Sequence, residues 1–82
     1  MQQPPFTSNE FPQVGQRVSV VALVAAEKDL LLHPDALAYL QGRAAGLQGT
    51  IYGPVSTQLG IWLVEHASGT LAVYAANELA PA

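Results

Sequence analysis

Apolar residues along this chain recur mostly at every second position, in short runs punctuated by Gly, Pro and small polar residues. That period belongs to strands rather than to long helices. RVSVVALV (17–24) is rich in β-branched residues, opens after Gly15 and stops before Glu27-Lys28-Asp29. Its Val20-Val21 pair breaks strict alternation and predicts a bulge or burial on both faces. LQGTIYG (47–53) alternates around Gly49, IWLVEH (61–66) is strongly β-prone, and TLAVYA (70–75) sets Leu71 and Val73 against Ala72 and Tyr74. Ala67-Ser68-Gly69 predicts a hairpin between the last two runs. Gly53-Pro54 and Leu59-Gly60 bracket a polar tip, so 47–53 and 61–66 are expected to form a second hairpin with a longer loop.

Between the first two strands the period changes. In LLLHPDALAYLQGR (30–43), Pro34 suits a first helical position and Asp35 the positive end of a helix dipole. Leu37 and Leu40 fall at helical spacing, and Gly42 offers a stop. The pattern predicts a short helix over 34–41 that needs a sheet to pack on. Ala76-Asn77-Glu78-Leu79 predicts a single turn with Leu79 tucked inward, and Pro81 is expected to end regular structure. Residues 1–13, with Pro4, Pro5 and Pro12, show no period and are expected to form a flexible N-terminal leader ahead of a domain spanning 14–80. Phe6 and Phe11 are its exceptions; Phe11, nearer the domain, is the ring expected to dock.

Composition narrows the function. The chain has 82 residues, one domain at most, and 11% of it is charged against roughly 25% in an average globular protein. Three basic and six acidic residues give a formal charge of −3, the wrong sign for phosphate contacts, so nucleic acid is not the expected partner. The absence of Cys removes disulfides, thiolate metal sites and cysteine nucleophiles. The longest apolar stretch, Val18 to Ala26, is broken by Ser19 and falls short of the ~20 residues of a membrane span. A cytoplasmic location and no membrane partner are expected.

Val14-Gly15-x-x-Val18, a long excursion, Gly46-x-x-Gly49-Thr50-Ile51, a hairpin through Ser68-Gly69, a Tyr-containing strand and a closing Asn77-Glu78-Leu79 together resemble the small bacterial SH3-like barrel over residues 14–80. The resemblance implies a mostly-β, partly open barrel of about five strands with one short helix inserted after the first strand. Such domains occur as enzyme subunits, as transcription-associated modules and as stand-alone interaction proteins. The C-terminal barrel of the nitrile hydratase β subunit is similar at His33-Pro34 and Gly42-Arg43, though further basic residues are missing and Ala44-Ala45 departs from its pattern. The KOW module is similar over Gly46 to Gly53, but normally carries basic residues, and Arg43 is the lone cation after Asp29 here.

Candidate chemistry is sparse. Ser68 lies two residues from His66, but Glu65 points to the other strand face, so the trio reads as a hairpin end rather than a triad. His33, Asp35, Glu65 and His66 lack metal-ligand spacing. Gly42, Gly46, Gly49 and Gly53 suggest a phosphate cradle only superficially, because a strand rather than a helix follows. No catalytic residue, cofactor or metal is expected, and the chain is not expected to be an enzyme. The aromatics are the best lead. With Ile61, Leu63, Leu71 and Val73 inward, Trp62, Tyr74 and Tyr52 would face out, and with Tyr39 they form a candidate partner-binding cluster. Alternatively the 34–41 helix covers these rings through Leu37 and Leu40. The expected role is a non-catalytic protein–protein interaction module or accessory factor, binding through these aromatics or a free strand edge, with homodimerisation favoured by the low surface charge.

Overall fold

The four alternating segments become β1 (Arg17–Val20), β2 (Gln48–Ser56), β3 (Ile61–His66) and β4 (Leu71–Ala75), and a fifth strand, β5 (Leu79–Pro81), forms where the sequence predicts the end of regular structure. In this computed structural model the described residues are 4–6, 10–30 and 38–82. The five strands form one antiparallel sheet in the order β4-β3-β2-β1-β5. It is not closed into a barrel, because β4 and β5 lie at opposite edges. Residues 34–37 of the predicted 34–41 helix lie outside the described residues, which begin again with a 3-10 turn at Ala38 and Tyr39. The described helical structure after β1 is instead one turn, α1 (Glu27–Leu30). No helix among the described residues is long and apolar enough to cross a membrane.

β2 gives the sheet its bend. It pairs with β1 only through Gln48, Gly49 and Thr50, but with β3 from Gly49 to Ser56. Register shifts between Ile51 and Gly53 and between Pro54 and Ser56 coil this strand, so one half belongs to each side of the sheet. Pro54, which lacks an N–H, is accommodated beside the second shift. Gly49 is needed for close approach, since a Cβ there would lie 2.5 Å from Val64 Cγ1 and 2.7 Å from the Glu65 carbonyl oxygen.

Two elements differ from expectation. β1 ends at Val20 rather than at 24, because the N–H groups beyond it turn away to residue 78: Val21 donates to the Glu78 carbonyl at 2.9 Å. Pro81 does not end the structure but pairs with Val18 as part of β5, an edge position where a missing N–H costs nothing. The turn before it is a 3-10 turn over Ala76–Glu78, as the spacing predicts, and Leu79 is fully buried.

Both faces of the β3–β4 hairpin are buried. One face carries Trp62, Val64, Ala72 and Tyr74, packed with Val18, Val20, Ile51 and Leu79 in the main core. The other carries Ile61 and Val73, packed with Leu30 and flanked by Tyr39 and Leu40 from the excursion between β1 and β2. Phe6 belongs to the main core and Pro12 is fully buried, so the folded body extends ahead of residue 14. Phe6, rather than Phe11, is the ring that docks: its N–H donates to the Leu79 carbonyl at 2.9 Å, while Phe11 is 57% exposed.

Candidate functional site

The four aromatics do not share a surface. Trp62 and Tyr74 are 5% and 0% exposed and point into the main core, the reverse of the expected register. Tyr39 is half-buried against the opposite cluster, and Tyr52 stands exposed on β2. The excursion does cover a face of the sheet, but through Leu30, Tyr39 and Leu40 it covers Ile61 and Val73, not the rings. Leu37, His33 and Asp35 lie outside the described residues.

What the alternation pattern did not disclose is a buried polar knot around Glu78. Its carboxylate is fully buried and accepts from five donors. Arg43 reaches it with Nη1 to Oε1 at 2.8 Å and Nη2 to Oε2 at 2.6 Å. Three backbone N–H groups add to these: Ala75 to Oε1 at 2.9 Å, and Val24 and Ala25 to Oε2 at 2.8 and 3.1 Å. Burial pushes the Glu78 carboxyl upward, but the Arg43 bond and the backbone donors outweigh it and hold the group below its ordinary 4.5. Arg43 Nη1 also donates to the Val73 carbonyl at 2.7 Å, and its guanidinium lies 5.2 Å over the Tyr74 ring. That position suits a cation on an aromatic face.

The knot continues through the core. Tyr74 Oη accepts from the Ala44 N–H at 3.0 Å and meets His66 Nε2 at 2.8 Å. His66 Nδ1 lies 2.9 Å from the Gln48 carbonyl, which can only accept, so Nδ1 carries a proton; in the neutral ring Nε2 then accepts from the Tyr74 hydroxyl. Burial raises the Tyr74 hydroxyl above its ordinary 10.0, which keeps that donor in place. Arg43, Glu78, His66 and Tyr74 thus spend their polar atoms on one another and on backbone. Trp62 Nε1 is buried with no hydrogen-bond partner among the described residues.

This arrangement decides what the other candidates can do. Both ring nitrogens of His66 are engaged, and Ser68 Oγ bonds Thr70 Oγ1 at 3.0 Å instead. Glu65 is exposed on the opposite strand face. A groove of about 620 Å³ opens beside it, bordered by Arg17, Leu47, Thr50, Glu65 and Ser68, with Arg17 bonded to Gln48 at 3.3 Å. Among the described residues no three His, Asp or Glu side chains converge as a metal site would require.

At the other end of the hairpin large apolar side chains stand exposed beside two further grooves. A groove of about 490 Å³ runs between Val24 and Ala25 on one wall and Leu59 and Asn77 on the other, floored by Ile61 and Leu30. A second of about 350 Å³ lies across Leu59, toward Phe6 and Phe11. Val24, Leu59 and Phe11 are 61%, 51% and 57% exposed, so three large apolar side chains rim the two grooves. Glu78 connects this surface to the knot: the backbone amides it binds are those of the Val24–Ala25 wall. Comparison with protein-family models, with curated proteins and with solved structures gave no match to this chain.

Proposed function

We propose that the chain is a non-catalytic protein–protein interaction module, an accessory or regulatory factor of the cytoplasm, that holds an apolar segment of a protein partner in the grooves beside Leu59. The single observation carrying this reading is the exposed apolar rim of Val24, Leu59 and Phe11 around two adjoining grooves. A monomer leaves few such contiguous surfaces without a use. The fold reading that goes with it is SH3-like: a last strand returning beside the first after a 3-10 turn, with a long excursion between the first two, supports it. The partner-binding role passes from Tyr39, Tyr52, Trp62 and Tyr74 to the rim, since Trp62 and Tyr74 are core residues.

The test is a pull-down from native lysate with wild-type chain and with Leu59→Asp and Val24→Asp, each checked for an unchanged thermal midpoint. A partner recovered at high salt by the wild type and lost with both variants is the expected result. Equal recovery by all three, or recovery abolished by salt alone, would rule the groove out and favour charge-driven binding.

A further inference from the structure

Phe6 is attached to the main core differently from its other members. Its ring is buried in that cluster while Pro4 and Pro5 stand exposed beside it. One backbone bond is described for residues 4–6, from the Phe6 N–H to the Leu79 carbonyl at 2.9 Å, and neither proline has an N–H to give. The segment is thus held as a short peptide is held on a receptor, by one inserted ring and one main-chain bond rather than by a ladder. Against the entropy of fixing three residues, those two contacts leave a small margin.

The edge that Phe6 meets accounts for the residues around it. Leu79, whose backbone groups turn away from β1, spends its N–H on the Ala76 carbonyl, and Pro81, two residues on and turned the same way, has none. What this edge offers is the Leu79 carbonyl. A segment docking here must supply an N–H at the residue that inserts, and it loses nothing by lacking one in the two residues before. Pro4-Pro5-Phe6 meets both conditions.

The seat is reached from the surface. Phe6 and Phe11 line both the groove of about 350 Å³ beside Leu59 and a further groove of about 530 Å³ that passes Glu10 and Gln13. Of the described residues ahead of residue 14, none lines the groove between Val24 and Asn77. We propose that the seat of Phe6 is a binding site for an extended, aromatic-anchored segment of the protein partner, and that residues 4–6 are its resident occupant, displaced when the partner binds. The ligand's chemistry is read from the one segment seen in place: an aromatic side chain for the seat and that residue's own N–H for the Leu79 carbonyl. The resident has the advantage of a tether. A partner makes the same two contacts and adds those of the rim, which shifts the exchange in its favour. That the displacing segment belongs to the partner rests on the groove reading above.

Trp62 is the chain's one tryptophan and shares the cluster with Phe6, so its emission reports the state of the seat. Full-length wild type and Phe6→Ala are titrated with a synthetic peptide of residues 2–8 and with the same peptide carrying Phe6→Ala. The variant's emission is expected to lie to the red of wild type and to return saturably with the first peptide, at least about tenfold more tightly than with the second. Wild type, its seat filled, is expected to need at least about tenfold more peptide. The proposal is overturned by a folded variant that takes up neither peptide or both alike, by a wild type that binds as tightly as the variant, or by a variant that fails to fold. Hydrogen exchange on wild type tests displacement without a substitution. The Phe6 amide should exchange at least about tenfold faster than those of Val64 and Tyr74, and equal protection overturns the proposal. The grooves are judged separately. Peptide uptake alongside unchanged partner recovery by Leu59→Asp and Val24→Asp would end the groove reading and leave the seat; lost recovery without peptide uptake would end the seat alone.

Discussion

The two faces of the β3–β4 hairpin are both dry, yet they are closed by unlike devices. The face bearing Trp62, Val64, Ala72 and Tyr74 is closed by the sheet itself: β2 bends, and Val18, Val20, Ile51 and Leu79 come round from the neighbouring strands. The face bearing Ile61 and Val73 is closed by the excursion between β1 and β2, of which only α1 and a 3-10 turn are regular among the described residues. An irregular segment cannot satisfy its own backbone, and here Glu78 does it, accepting from Val24 and Ala25 while Arg43 ties the far end of the excursion to Val73. Burying an ion pair is no strong source of stability in itself. Its use here is to fix where a segment without periodic bonding lies.

The largest effect separates the faces at once. Trp62→Ala empties the strand-closed core and is expected to cost about 3–5 kcal/mol in urea unfolding, enough to unfold a domain of this size. Arg43→Met attacks the other closure: it leaves the Glu78 carboxylate buried with backbone donors alone and is expected to cost about 3 kcal/mol by the same measurement. Tyr74→Phe sits where the two meet. It strips partners from His66 Nε2 and the Ala44 N–H, at about 1–3 kcal/mol of thermal stability.

Proton linkage sharpens the contrast further. The Glu78 carboxyl is depressed in the fold, so the stability it confers is complete above its ordinary 4.5 and drains as pH falls through the lower folded value. The Tyr74 hydroxyl is raised, so its contribution is complete below 10.0 and is lost as pH climbs past the folded value. Thermal midpoints measured across both limbs are expected to lose the acid slope in Glu78→Gln and the alkaline slope in Tyr74→Phe. Smallest of all, Leu59→Asp on the exposed rim is expected to change stability by under ~0.5 kcal/mol while abolishing partner recovery.

Much of the strand-closed half was legible in the sequence. Period-two runs located β2, β3 and β4, the Ser68-Gly69 turn and the turn before Leu79, because local chemistry dictates each of them. Alternation says which residues share a face, but not which face will be covered. IWLV reads equally well with Trp62 or with Ile61 inside, and here both are inside. The other half was hidden for a different reason. Arg43 and Glu78 are 35 residues apart, and each alone looks like an ordinary surface charge. A scarcity of ions was the one available signal: with three cations in the whole chain, Arg43 beside Gly42 was worth asking about. Phe6 escaped for a similar reason, since a lone ring among prolines has no period to place it.

The most direct test of the account is native-state hydrogen exchange on wild type and Glu78→Gln. Glu78 is held to fix the excursion and with it the Val24–Ala25 groove wall, so the variant should lose protection at the Val24, Ala25 and Ala75 amides while Val64 and Tyr74 keep theirs. Uniform loss across β3 and β4, or unchanged protection at Val24 and Ala25, would contradict it.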